Sequence, residues 1–174
     1  DMRSNIKNVL LWTCKGSQNQ KMDWADSWSL SQASETLDVI EESDIDRGGV
    51  IRVDDGSRCL DVYGDNIHAD DVTIYAAKCN GDKGQVWKHE GGALKNVASG
   101  KCLDVDQASS KNGANLILYH CNGQQNQQFQ FNKATNSISQ PKSSKCLDVD
   151  MRSNIKNVLL WTCKGSQNQK MDWA

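Results

Sequence analysis

Ser57-Arg58-Cys59-Leu60-Asp61-Val62 returns as Gly100-Lys101-Cys102-Leu103-Asp104-Val105, and again as Ser144-Lys145-Cys146-Leu147-Asp148-Val149. The first cysteines of these hexads are separated by 43 and 44 residues. A second cysteine follows each hexad, at Cys79, Cys121 and Cys163, with steps of 42. The chain therefore contains three homologous units of about 42 residues, spanning roughly residues 48–173.

Within the first unit the apolar residues alternate in short runs: Val50-Ile51-Arg52-Val53, Cys59-Leu60-Asp61-Val62, Val72-Thr73-Ile74-Tyr75 and Gln85-Val86-Trp87. Such runs, separated by Gly, Asn and Asp turns, predict about four strands per unit. A propeller also has four strands per repeat but needs at least four blades to close. Three four-stranded units about a threefold axis make a β-trefoil, so the expected fold is all-β.

A larger repeat is superimposed on this one. Residues 1–25 are identical to residues 150–174, an offset of 149. Three accounts fit: a window cut from a tandem array of that period, an engineered duplication whose copies compete for one place in the fold, or an overlap of polymer ends. The tandem array is the reading taken. Residues 1–25 are then the terminal part of a preceding unit, and residues 48–174 are the β-trefoil domain.

Between them, residues 26–47 carry seven acids and one base, Arg47, and read as a solvated acidic linker. A sharper alternative is a decayed partial repeat. Ser29-Leu30-Ser31-Gln32 parallels Ser137-Ile138-Ser139-Gln140, and Thr36-Leu37-Asp38-Val39 parallels the third hexad without its cysteine.

Composition narrows the function classes. Apolar residues make up 37% of the 174, consistent with a globular chain of modest core. The 20 Lys and Arg nearly balance the 22 Asp and Glu, which speaks against a nucleic-acid partner. Apolar runs such as Val158-Leu159-Leu160-Trp161 are far too short for membrane insertion.

Six of the seven cysteines fall into three equivalent pairs. Six cysteines allow 15 pairings, and repeat equivalence selects Cys59–Cys79, Cys102–Cys121 and Cys146–Cys163. Such bridges imply a secreted, extracellular protein. No pair has the short spacing of a zinc site. Cys14 is the copy of Cys163, and its own partner would precede Asp1. The three histidines, His68, His89 and His120, are dispersed. No catalytic or phosphate-loop motif appears, so no enzyme, cofactor or metal is expected.

The hexads, an aromatic two residues before the second cysteine in two of the units, and a closing motif that varies on Gln-x-Trp together resemble the ricin B-chain-type β-trefoil lectins. The closing motif reads Gln85-Val86-Trp87, then Gln127-Gln128-Phe129, then Gln169-Lys170-Met171. The resemblance implies a shallow sugar pocket in each competent unit. There an aromatic ring stacks on the apolar face of a pyranose, a carboxylate accepts two hydroxyl protons, and an amide donates and accepts.

Carried over unit by unit, the second unit keeps Asp104, Tyr119, Asn126 and Gln127, and the third keeps Asp148, Trp161, Asn168 and Gln169. The first is degenerate: it keeps Asp61 and Gln85 but has Ala77 in place of the ring and Gly84 in place of the asparagine. A position that is polar in the family is apolar here, at Ile117 and Leu159. Each group also has a plain structural reading: the aspartates as fold acceptors, the rings as core aromatics, the asparagines as turn residues.

The expected function is a secreted carbohydrate-binding module, one bead of an array, binding glycans weakly and multivalently. The alternative is a structural subunit of an extracellular fibre or coat, whose partners are neighbouring identical subunits or repeats.

Overall fold

A computed structural model describes residues 48–174. The readings of residues 1–25, of 26–47 and of Cys14 lie outside the described residues. Among the described residues twelve strands follow one another, four per unit. The first unit holds β1 (Gly49–Val53), β2 (Arg58–Val62), β3 (Val72–Lys78) and β4 (Val86–Glu90). The second holds β5 (Ala93–Asn96), β6 (Cys102–Val105), β7 (Ala114–Tyr119) and β8 (Gln130–Asn132). The third holds β9 (Ser137–Gln140), β10 (Lys145–Val149), β11 (Val158–Thr162) and β12 (Met171–Trp173). The only helical pieces among the described residues are single 3₁₀ turns. The fold is the expected β-trefoil.

Pairing repeats with the units. The hexad strand of each unit pairs with the strand after it, as β2–β3, β6–β7 and β10–β11. The last strand of each unit pairs with the first of the next, as β4–β5 and β8–β9. The third such pair is β12 with β1, registering Ile51 on Trp173 and Val53 on Met171. This pair closes the trefoil on itself. Pairings β3–β7 and β7–β11 hold neighbouring units together.

The inward residues arrange in threes. Leu60, Leu103 and Leu147 are fully buried, as are Val62, Val105 and Val149. Ile74, Leu116 and Val158 form another set; Ile51, Leu94 and Ile138 another. Each large side chain contributes about 1.5–3 kcal/mol by leaving water, so the same inner positions stabilise all three units.

The closing-motif residues Trp87, Phe129 and Met171 form a further buried set, in keeping with a core rather than a ligand role. Only Trp87 brings a polar group inside, and its indole N–H donates to the Leu60 carbonyl at 3.0 Å. Phe and Met fill the equivalent volume with no donor to satisfy.

The three disulfides form as paired by repeat equivalence, with Cα–Cα distances of 5.0, 5.1 and 5.1 Å. No helix among the described residues is long and apolar enough to cross a membrane.

Candidate functional site

Strand register places the site. Cys102 pairs with Tyr119, and Asp104 with Ile117. Opposed residues in an antiparallel pair share a face, and successive residues alternate. Cys102, Asp104, Ile117 and Tyr119 therefore point outward together, while Leu103, Val105, Leu116 and Leu118 point into the core. The third unit repeats this, with Cys146 opposite Trp161 and Asp148 opposite Leu159.

In the second lobe, Asp104 is 3% exposed and each of its oxygens is held by one amide. Asn126 Nδ2 donates to Oδ1 and Gln127 Nε2 to Oδ2, both at 2.7 Å. In the third lobe, Asn168 and Gln169 make the same two bonds to Asp148, at 2.6 and 2.8 Å. A carboxylate oxygen carries more than one acceptor direction, so each aspartate keeps capacity for a ligand.

The asparagines stand on short 3₁₀ turns, Gln125–Gln127 and Gln167–Gln169, which bring the asparagine and glutamine onto one carboxylate. Asn126 lines a cavity of about 320 Å³ with Asp104, Ile117 and Tyr119. Asn168 lines one of about 560 Å³ with Asp148, Leu159 and Trp161. Ile117 and Leu159 supply an apolar floor between carboxylate and ring.

The two glutamines stand behind the carboxylates rather than on either cavity wall. Gln127 and Gln169 are each 1% exposed. Besides Asp104, Gln127 Nε2 donates to the His120 carbonyl at 2.9 Å, and its Oε1 accepts from Asn122 N at 2.8 Å. Gln169 likewise bonds the Thr162 carbonyl and accepts from Lys164 N. With donors and acceptor engaged inside the protein, these glutamines hold the aspartates and tie the turn to the strand. The sequence carried a signal for this: Gln85 survives in the first unit, where the ring is missing.

The first lobe differs in structure as well as composition. Gln85 holds Asp61 Oδ2 at 2.9 Å, but Oδ1 is buried without a partner. Gly84, at the asparagine position, packs so tightly on Oδ1 that no Cβ fits. Tyr75 stands directly opposite Asp61, at the position of Ile117 and Leu159, so its ring is displaced one pleat step from the Tyr119 position. Tyr63 packs edge-on against it, with centroids 5.3 Å apart. Asp61 is as buried as Asp104, each 3% exposed, so the first lobe differs in its displaced ring and unpartnered Oδ1 rather than in cover.

Burial pushes the carboxyls of Asp61, Asp104 and Asp148 above the ordinary aspartate value of 3.8, and the amide bonds pull partly against it. Neighbouring Asp106 and Asp71 push Asp104 further the same way; Asp150 does so for Asp148, with Lys164 pulling against it. Tyr75 is also raised, by burial and then by the charge of Asp61 and Asp65.

Other wall residues come from places the unit-by-unit reading did not reach. Asp71, from the first unit, lines the second-lobe cavity. Asp54, also from the first unit, lines the third-lobe cavity with Arg152 and Lys164. His120 tilts against the Tyr119 ring with centroids 4.2 Å apart, and its Nδ1 lies 3.1 Å from Asp70.

Comparison with known proteins agrees with this architecture. The family model described as "Ricin-type beta-trefoil lectin domain" matches residues 47–171. A designed threefold-symmetric protein, ThreeFoil, is 27% identical with a TM-score of 0.66, over 72% of this chain and 96% of its own. The hemolytic lectin CEL-III is 26% identical with a TM-score of 0.64, over 73% of this chain and 30% of its own. An exo-β-1,3-galactanase from Clostridium thermocellum is 27% identical with a TM-score of 0.63, over 72% of this chain and 29% of its own.

Proposed function

The chain belongs to the ricin-type β-trefoil lectin family, and from that premise we propose that it is a secreted carbohydrate-binding module acting through its second and third lobes. One observation carries the reading: in two lobes an outward aspartate, held on both oxygens by amides, shares a cavity with an aromatic ring. The carboxylate accepts two sugar hydroxyl protons in charge-assisted bonds. The ring of Tyr119 or Trp161 packs against the apolar face of the pyranose. Asn126 and Asn168, whose Nδ2 atoms are committed to the aspartates, offer Oδ1 to a further hydroxyl. The first lobe is silent, because Ala77 and Gly84 stand where the ring and the asparagine would be.

Shallow single-sugar sites bind at roughly millimolar levels, about −4 kcal/mol, so function requires multiplicity. Two lobes per trefoil supply some of it. The duplication supplies more. Residues 150–174 build β11 and β12 of this trefoil, and their exact duplication as residues 1–25 supports an array of period 149. Beads linked in this way gain avidity without new contacts. The disulfides support an extracellular setting. No catalytic role is assigned to the chain. The fibre-subunit reading needs neither ring nor open carboxylate, so the two cavities favour the lectin.

Glycan-array binding of the parent and of Tyr119→Ala, Trp161→Ala and the double variant tests the proposal. Each single variant weakens binding, and the double variant abolishes it while still folding. Binding retained by a folded double variant would refute the lectin assignment.

A further inference from the structure

The two open pockets differ in charge as well as in size, about 320 Å³ against about 560 Å³. Asp71, Asp104 and Asp106 line the second-lobe cavity, and no lysine, arginine or histidine does. The third-lobe cavity also has three acids, Asp54, Asp148 and Asp150, but Arg152 and Lys164 stand on its wall, and Arg152 pairs with Asp150 at 3.4 Å. On formal charge the second-lobe pocket is −3 and the third-lobe pocket −1.

Two of the second-lobe acids are not paired with a protein cation. Among the described residues neither Asp71 nor Asp106 forms an ion pair, and both act on Asp104 through their charge. Asp71 is held there by its backbone: it takes a left-handed φ of 61° immediately before Val72, which pairs with Leu118 of the second unit. The acids do not form a metal-holding group. The Tyr119 ring forms one wall, and Asn126, 8% exposed with its Nδ2 committed to Asp104, leaves Oδ1 as a further acceptor.

We propose that the second-lobe pocket selects a sugar carrying a free, protonated amino group, a selectivity the third-lobe pocket lacks. This rests on the carbohydrate reading above and refines it. The pyranose provides the hydroxyls and apolar face that Asp104 and Tyr119 accept. The ammonium provides the positive charge that Asp71 and Asp106 leave uncompensated, and a cation near a tyrosine face gains further attraction. N-acetylation or replacement of the amine by hydroxyl removes that charge and leaves the ring.

The test is an NMR titration of the full chain near pH 6, following the imidazole of His120, which stacks on Tyr119 and reports the second lobe. The probes are methyl glycosides of glucosamine and galactosamine, each beside its N-acetyl and hydroxyl counterparts. The amines bind more tightly than the neutral sugars by on the order of tenfold at low salt, and the ratio shrinks as ionic strength rises. Asp71→Asn combined with Asp106→Asn brings the ratio close to one. Equal affinity for charged and neutral sugars in the parent overturns this inference and leaves the lectin reading standing. No His120 response to any of these sugars, from a chain shown to be folded, overturns this inference together with the second-lobe half of the carbohydrate reading, which the glycan array tests separately at the third lobe. A His120 response to methylammonium as large as to the amino sugars reduces the site to a nonspecific acidic surface and overturns the inference.

Discussion

Replacing Gln127 with methionine separates a glutamine that holds Asp104 from one that touches sugar. Methionine keeps nearly the same volume and flexibility, so the change removes polar contacts with little cavity. Three bonds disappear: Nε2 to Asp104 Oδ2 at 2.7 Å, Nε2 to the His120 carbonyl at 2.9 Å, and Asn122 N to Oε1 at 2.8 Å. The bond to the carboxylate is worth about 1.5–3 kcal/mol and the two neutral ones about 0.5–1.5 kcal/mol each. Solvent recovers part of this at Asn122, which is exposed. A net loss of about 3 kcal/mol follows. For a domain of this size that lowers Tm by roughly 10 °C. Circular-dichroism melts with the disulfides intact read the stability, and the His120 titration reads second-lobe binding. A Tm within about 2 °C of the parent, together with lost binding, would mean that Gln127 contacts sugar directly and that the framework role argued for it is mistaken.

Three further outcomes follow from the same geometry. The raised carboxyls make the folded chain bind protons more readily than the unfolded one. Their contribution to stability is thus greatest below the ordinary aspartate value of 3.8 and declines as pH rises through the raised values. Binding runs the other way, since a protonated Asp104 or Asp148 loses its acceptor charge, so titration calorimetry from pH 7 downward shows affinity falling before any unfolding. Gly84→Asn does not restore the first lobe; its Cβ meets Asp61 Oδ1, and the melt shows a destabilised chain with no third site by stoichiometry. Removing Cys102–Cys121, which closes a loop of 19 residues, costs on the order of 3 kcal/mol by denaturant unfolding, and a change under 1 kcal/mol would count against the bridge as a staple.

The inner face of this protein was readable from sequence because it is written three times. Leu60, Leu103 and Leu147 occupy one environment, so spacing alone locates strand, hexad and cysteine partner. The outward rings and carboxylates were readable for the same reason, since Asp104 and Tyr119 sit at fixed pleat steps from a disulfide. What a repeat cannot reveal is a contact made between units. Asp71 and Asp54 reach pockets of other lobes only because β3 lies beside β7 and β12 closes onto β1, and no periodicity within one unit signals that. Tyr75 was hidden differently: its position reads as an ordinary strand residue until register puts it across from Asp61.

The aspartate of the hexad is present in all three lobes, and its persistence in the first shows what it does everywhere. Gln85, Gln127 and Gln169 each bond their aspartate and also a carbonyl at the end of the adjoining strand, those of Lys78, His120 and Thr162. The Asp–Gln pair therefore fastens each 3₁₀ or tight turn to its hairpin whether or not a ligand is bound. Losing the aspartate would leave a buried glutamine amide without its acceptor, a cost the fold meets in every lobe. The ring carries no such duty, and the asparagine's share of it is dispensable: Ala77 and Gly84 replace them with the core intact, at the cost of an unpartnered Asp61 Oδ1. On the proposed reading, pocket competence in this chain then turns on the outward aromatic and the asparagine beside it, and the hexad aspartate by itself says only that a hairpin has been fastened.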